Sequence, residues 1–281
     1  MKNRTPKSMS LKSRIKNVAK EKDIAPQIVL QNFMMERFLN RVALSKYKES
    51  FIVKGGSLVS MLVGLTSRTT MDVDVTVTGF ILNEKEIEAV LSTICSINLE
   101  DNVTFELKRC ETIRDDDIYG GFRIFMNGYF DNKAIQVPFS LDVSTGDIIT
   151  PKPQKRKWNC LLNEENSFEL FAYPIETILA EKVETILSRG VLSTRPKDFY
   201  DVYVLTKTSQ FDKDIFDKAL EETSRHRGSF ERIMKSKDNF SIIENSLDLK
   251  EFWNRYAKSN PFSKGLDYEK VIATIKELLF K

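Results

Sequence analysis

The chain has 281 residues, 41% of them hydrophobic and 30% charged, with 19 Phe and 8 Tyr, so it holds enough apolar material for one large domain or two small ones. A single histidine, His226, excludes His-rich zinc sites, HExxH proteases and two-histidine phosphodiesterases. Three cysteines (Cys95, Cys110, Cys160) without a CxxC pair argue against a disulfide framework and a cysteine-based zinc site.

The first 22 residues carry eight Lys/Arg against one Glu, so the net charge of +3 leaves the other 259 residues at −4. This basic stretch reads as a tail or a solvated helix, too polar for a signal peptide. No apolar run reaches membrane-spanning length, and the expectation is a cytoplasmic protein with no membrane partner. Pro26 suits a first helical turn, and Leu30, Phe33, Met34, Phe38 and Val42 then recur at helical spacing. Phe51-Ile52-Val53 predicts a short strand that stops at Gly55-Gly56, followed by a turn and a helix from about Ser57. Residues 72–78 alternate strictly, Val73, Val75 and Val77 against Asp72, Asp74, Thr76 and Thr78, which predicts a half-buried strand. A helix is expected over 84–96, with strands near 103–109 and 121–127. Residues 135–143 alternate again, and Pro138 suggests an edge strand or a bulge. The Pro-rich basic segment 151–157 reads as a linker. Beyond it the pattern is helical, at about 174–189, 197–208, 212–224, 248–258 and 267–280.

The fold class expected is α+β: a small mixed or antiparallel sheet domain flanked by helices (residues 23–150, after the basic stretch 1–22), then a C-terminal helical domain (158–281), with the active site between them.

The strongest chemical signal is Gly55-Gly56-Ser57 followed by Asp72-x-Asp74. Paired glycines at a strand end let backbone N–H groups approach an anion without an intervening Cβ, and a following serine hydroxyl adds a hydrogen bond to phosphate. Aspartates at i and i+2 of a strand project from one face and offer the hard oxygen ligands that suit Mg²⁺. Asp142 sits on the polar face of another alternating strand. If the two strands pair, three carboxylates converge as two-metal phosphoryl or nucleotidyl transfer requires. Taken singly, a GG turn and an exposed DxD are ordinary structural features; in combination, three like charges on one sheet face call for a cation.

Lys54-Gly55-Gly56-Ser57-Leu58 with Arg68-x-Thr70-x-Asp72-x-Asp74 resembles the AbiEii/AbiGii-type nucleotidyltransferase toxins of bacterial abortive-infection and toxin–antitoxin systems, which have the DNA-polymerase-β-like nucleotidyltransferase fold. The resemblance continues at Ala172-Tyr173-Pro174-Ile175-Glu176-Thr177, Ala180-Glu181-Lys182 and Arg195-Pro196-Lys197-Asp198-Phe199-Tyr200-Asp201, the last matching the family's R-x-K-D-x-Y-D, and spans roughly residues 30–205. It implies a Mg²⁺- or Mn²⁺-dependent enzyme that transfers a nucleotide from an NTP to the 3′ end of tRNA, blocking translation, with an antitoxin as protein partner. It implies that Gly56 and Ser57 hold the triphosphate, with Gly55, Thr70, Arg195 and Lys197 in the nucleotide-binding set. Asp72 and Asp74 would bind the metal, and Asp142 would be third carboxylate and general base. Lys182 would direct its ammonium at the phosphates, and Asp201 would hold Lys182 or contact the nucleotide.

Other readings of these residues stand beside the resemblance. Lys182 falls next to the apolar stripe Leu179, Val183 and Ile186 and would snorkel from the core edge. Asp201 would form a surface ion pair with Arg195 or Lys197, and Asp198 and Asp201 equally suit a helix N-terminus. Basic clusters at Lys152, Lys155, Arg156, Lys157 and at Arg225, Arg227, Arg232, Lys235, Lys237 suggest a nucleic-acid acceptor, although charge runs are commonly solvated faces. Trp158 and Trp253 read as packing residues. The alternatives in function are nucleotidylation of a protein hydroxyl or small molecule, and a catalytically silent binding module.

Overall fold

A computed structural model describes residues 5–113 and 120–280, so the first four residues of the basic stretch lie outside the described residues. The chain divides into two compact units: Met1–Asp147 with Gln154–Ala172, and Ile148–Pro153 with Tyr173–Lys281.

The first unit opens with α1 (Pro6–Glu21), whose N-terminus is closed by a capping box between Thr5 and Ser8. Leu11, Ile15 and Ala19 recur every four residues and are buried against Val29, Phe33 and Met34 of α2 (Pro26–Leu44). Burying two such aliphatic side chains is worth roughly 3–6 kcal/mol, so the basic stretch is a docked amphipathic helix and not a tail or a fully solvated one. Its lysines occupy the outer face. Strand β1 (Phe51–Lys54) runs directly into α3 (Gly55–Val63), so the paired glycines form the first turn of the helix where a separate turn was expected. Strand β2 (Asp72–Val77), α4 (Glu84–Cys95), and strands β3 (Val103–Ile113), β4 (Gly121–Phe130) and β5 (Ile135–Ser144) follow. The segment expected to be a linker is instead strand β6 (Gln154–Cys160), hairpinned to β7 (Asn163–Ala172).

The seven strands form one sheet in the order β3-β4-β5-β2-β1-β7-β6. β1 pairs antiparallel with β2 and parallel with β7, and β2 pairs parallel with β5. Val73, Val75 and Val77 are buried on one face of β2, as their alternation predicts. Pro138 is not on an edge strand, since β5 lies between β4 and β2, but the β2 ladder begins only at Ser140. Proline therefore sits where β5 has one partner, β4, and no second ladder needs its missing N–H. Strands β3 and β6 are the two edges. Trp158 and Cys160 point inward while Lys155, Lys157 and Asn159 are exposed, and edge lysines of this kind discourage strand addition. Trp158 stacks on Phe168 of β7, a packing role.

The second unit is helical: α5 (Ile175–Arg189), α6 (Pro196–Thr208), α7 (Lys213–His226), α8 (Phe230–Asp238), α9 (Phe240–Glu244), α10 (Leu247–Ser259) and α11 (Tyr268–Phe280). Five of these match the sequence reading; α8 and α9 are short and were not resolved by periodicity. Helix α5 is buried on most of its circumference, with α6, α7 and α8 against it. Trp253 is buried and donates its indole N–H to the Leu266 carbonyl at 2.8 Å.

Candidate active site

The junction of β1 and α3 places backbone against carboxylate. Gly55 has φ +59°, and a Cβ there would fall 2.4 Å from Asp74 Oδ2. Only glycine meets both demands. The Gly56 N–H donates to Asp74 Oδ2 at 3.0 Å, so Asp74 reaches across to the start of α3. Thr70 Oγ1 and Arg68 Nη2 flank Gly56, 3.2 and 3.5 Å from where its Cβ would be. Helix α2 fixes this segment, since Gln31 donates to the Met71 carbonyl and Asn32 to that of Thr70. Ser57 is held by the backbone of both strands. It is buried, its hydroxyl donates to the Lys54 carbonyl at 3.1 Å, and it accepts from the Asp74 N–H at 3.3 Å. In this geometry it ties β1 to β2.

Parallel pairing sets Asp72 beside Ser140 and Asp74 beside Asp142, so all three carboxylates share one face, as the alternation of the two strands implies. Each already has a protein donor. The Ser140 hydroxyl donates to Asp72 Oδ1. Arg123 of β4, opposite Asp142 in the antiparallel register, donates to both Asp142 oxygens, Nε to Oδ1 at 2.8 Å and Nη2 to Oδ2 at 2.6 Å. That hydrogen bonding, then the Asp142 charge, and further the charges of Asp72 and Asp74, push the Arg123 pKa still higher. Among the described residues no three metal-ligating side chains converge closely enough to hold an ion. The three-carboxylate cluster expected from sequence thus exists as a shared face, with Asp142 turned to Arg123.

A second cation adjoins this face. Lys54 lies opposite Asp74, is buried, donates to Ser144 Oγ at 2.6 Å and forms an ion pair with Asp147. Burial alone would raise the Asp147 pKa. The Lys54 ammonium, with hydrogen bonds from Lys54, Ser144 and Thr76, outweighs it and holds the carboxyl well below the usual range. Four carboxylates, Asp72, Asp74, Asp142 and Asp147, against Lys54, Arg123 and the neighbouring Arg68 leave the face net negative. Hard oxygens on adjacent registers of a net negative face suit a hydrated divalent cation, which keeps part of its water shell and takes the rest from carboxylates and substrate phosphate.

In the helical unit, Lys182 of α5 is enclosed by two carboxylates of α6, Nζ standing 2.6 Å from Asp198 Oδ1 and 3.1 Å from Asp201 Oδ2. Burial would lower the lysine pKa, but Asp201 and Asp198 more than reverse it. Asp198 is pushed up by burial and brought down further by Lys182 and Arg195. Arg195 Nε lies 2.7 Å from Asp198 Oδ2, an ion pair without hydrogen-bond alignment. Lys182 therefore does not snorkel, and Asp201, at 0% exposure, is not part of a surface pair. Lys197 adds a favourable charge near Asp198. Asp198, Arg123, Lys54 and Asp147 were missed as site residues. The signal for Asp198 was its i,i+3 spacing from Asp201, which puts both on one helix face.

Of the basic cluster around Arg225, Arg225 and Arg227 are engaged by carboxylates. Arg225 pairs with Glu221, and Arg227 bridges Glu181 and Glu184, each at 2.7 Å. Lys155 and Lys157 stand exposed on β6. Burial pushes the Cys95 thiol up to about 12 and the Cys110 thiol up to about 11, far from nucleophilic use at neutral pH.

The family described as nucleotidyl transferase AbiEii toxin, type IV toxin–antitoxin system, matches residues 37–274. The chain belongs to the AbiEii toxin family. It is thus a nucleotidyltransferase of a type IV toxin–antitoxin family, a kind of enzyme that draws on an NTP and a divalent cation and is paired with an antitoxin. The match extends well past residue 205, so most of the C-terminal helices, to which the sequence reading gave no role, are part of what AbiEii proteins share. A comparison with the curated proteins finds no match. Among solved structures, the crystal structure of JHP933 from Helicobacter pylori is 15% identical, covers 91% of each chain and superposes with a TM-score of 0.54, which supports the fold. A putative nucleotidyltransferase from H. pylori is 15% identical with a TM-score of 0.49, over 91% of this chain and 94% of that one. An antigenic nucleotidyltransferase-like protein from Paracoccidioides brasiliensis is 14% identical with a TM-score of 0.44, over 73% and 93%. No helix among the described residues is long and apolar enough to cross a membrane.

Proposed function

We propose that this AbiEii-family enzyme works in the cytoplasm as a Mg²⁺-dependent toxin that transfers a nucleotide from an NTP to the 3′-terminal hydroxyl of tRNA, its activity held in check by its antitoxin. The observation that carries the reading is the meeting of the Gly55-Gly56 turn with the Asp72, Asp74 and Asp142 face, a net negative carboxylate face set against the start of α3. Asp72 and Asp74 would hold the cation, with Asp142 as third ligand and acceptor of the proton from the attacking hydroxyl. When bound, the cation supplies charge neutralisation along the triphosphate. The chain's own part is to orient and to balance charge. The backbone at Gly55 and Gly56, with Thr70 and Arg68 beside it, receives the phosphates, and Lys54 keeps the neighbouring Asp147 ionised without adding to the negative excess. Lys182, Asp198 and Asp201, flanked by Arg195 and Lys197, form a second functional cluster whose role is read from the family motif.

The test is incubation of the protein with each α-³²P-labelled NTP, Mg²⁺, and either total tRNA or a protein lysate, with Asp74→Asn as control. Label on the tRNA 3′ end that requires Mg²⁺ and vanishes in Asp74→Asn supports the reading. Label on protein alone would redirect the acceptor, and no label from any NTP would favour a silent binding module.

A further inference from the structure

We propose that Arg123 is the resident counter-ion of the acidic face and competes with the divalent cation for Asp142; this rests on the metal reading above. Both Asp142 oxygens accept from one guanidinium at charge-assisted distances, so in the metal-free protein the third carboxylate is engaged by a cation of the chain itself. The pair is built to open. Arg41 of α2 also grips a carboxylate twice, at Asp101, but its side chain is 1% exposed and it donates in addition to the carbonyls of Arg37, Ile97 and Val103. The Lys54 side chain is likewise buried and that of Asp147 nearly so, at 8% and 10%. The Arg123 side chain is 42% exposed and its hydrogen bonds go to Asp142, so water can replace the carboxylate when it leaves, and an exposed pair of this kind contributes little net stability.

The acidic face therefore has two arrangements. With Arg123 on Asp142, an arriving cation meets Asp72 and Asp74. With Arg123 withdrawn, it meets three carboxylates. If the closed arrangement dominates by about five to one, the upper end for an exposed pair, the apparent cation affinity is reduced about fivefold, because affinity scales with the population of the competent state. Arg123 then acts as a positioning residue, keeping Asp142 aligned and neutralised while no cation is bound.

The experiment is titration of nucleotide-free protein with Mn²⁺, followed by loss of the free-ion EPR signal, in wild type, Arg123→Gln, Arg123→Lys, Asp142→Asn and the Arg123→Gln/Asp142→Asn double variant, with thermal melting of each to establish folding. Arg123→Gln is expected to bind Mn²⁺ about fivefold tighter than wild type, and Arg123→Lys, which keeps the charge and loses the fork, to lie between them. In the Asp142→Asn background the Arg123→Gln gain should largely disappear. Mn²⁺ binding that is lost in Asp74→Asn but unchanged or weakened in Arg123→Gln would overturn this proposal and leave the metal reading standing. An equal gain in both backgrounds would reduce Arg123 to a distant charge and overturn it too. Binding indifferent to Asp72→Asn and Asp74→Asn would overturn the metal reading and this inference together.

Discussion

Replacing Lys182 by methionine keeps the length of the side chain and removes its charge. A lysine snorkelling from the core edge would tolerate the change well. The structure predicts otherwise, because Lys182 sits between Asp198 and Asp201, which are 1% and 0% exposed. Methionine strands two buried carboxylates, one of them still facing Arg195. Removing one partner of a buried ionic cluster costs about 3–5 kcal/mol, and at roughly 2–4 °C per kcal/mol for a chain of this size the melting temperature should fall by roughly 6–20 °C near pH 8. The pH dependence has a definite sign. Asp198 has a lowered pKa in the folded protein, so its contribution in wild type is present above the unfolded value of about 3.9 and is lost as pH falls through the folded one. Lys182 has a raised pKa, so its contribution is present below about 10.4 and lost as pH rises through the folded value. Without Lys182, burial should raise the stranded Asp198 carboxyl above about 3.9, and the variant then gains stability on acidification as that group takes up a proton. The gap to wild type should narrow steadily from pH 8 to pH 5 while wild type stays nearly level. The charge-balanced variant Lys182→Met/Asp198→Asn/Asp201→Asn should recover most of the lost stability, and nucleotidyl transfer can be read in it without confusion with unfolding. A Lys182→Met protein melting within 2 °C of wild type at every pH would refute the buried cluster.

Gly55→Ala should cost roughly 1–3 kcal/mol by calorimetry and abolish transfer, since φ +59° and a Cβ 2.4 Å from Asp74 Oδ2 both resist it; Gly56→Ala, meeting Thr70 Oγ1 at 3.2 Å, should be milder in stability. Lys54→Met should destabilise by about 3–5 kcal/mol, and the Asp147 contribution, belonging to a lowered pKa, should be present above about pH 4 and vanish on further acidification, visible as a steeper acid unfolding curve in wild type than in the variant. Glutamate at Lys155 and Lys157 should leave melting unchanged and flatten the salt dependence of tRNA binding measured by fluorescence anisotropy; an unchanged slope would mean that the β6 lysines serve only to guard the sheet edge.

Much of the fold was legible because its elements declare their period. The alternations 72–78 and 135–143 and the five longer C-terminal helices needed no tertiary information. Strand β6 was hidden because its outward positions are lysines and its first residues lie beside Pro151 and Pro153, so composition read as linker where burial of Trp158 and Cys160 marks a strand. Helix α1 was hidden for a related reason: its apolar residues, Leu11, Ile15 and Ala19, are few, and the eight cations around them dominate the count. Asp198 and Asp201 were visible as helix-start charges, and only the packing of α6 on α5 turns them into partners of Lys182.

Arg123 is the instructive case, because the information was in the sequence as a counting problem. Residues 131–133, Asp-Asn-Lys, all take positive φ, a conformation that asparagine and aspartate accept more readily than most, and they close the hairpin so that Phe130 faces Ile135. From that turn an antiparallel ladder fixes every later partner: seven steps back from Phe130 is Arg123, and seven steps on from Ile135 is Asp142. The strand expected at 121–127 stopped short of the turn, leaving Gly128-Tyr129-Phe130 unassigned, and without the hairpin there was no register to count along. A cross-strand ion pair is thus readable only after turn and strand ends are known together, whereas Asp72-x-Asp74 needs one strand alone. For the same reason the Arg123 pairing is a property of the β4–β5 register, which the buried alternation of Val137, Phe139 and Leu141 and the β2 ladder hold in place: inserting one residue in the 131–134 turn should be absorbed in the loop and leave Mn²⁺ affinity at the wild-type value, whereas Arg123→Gln raises it.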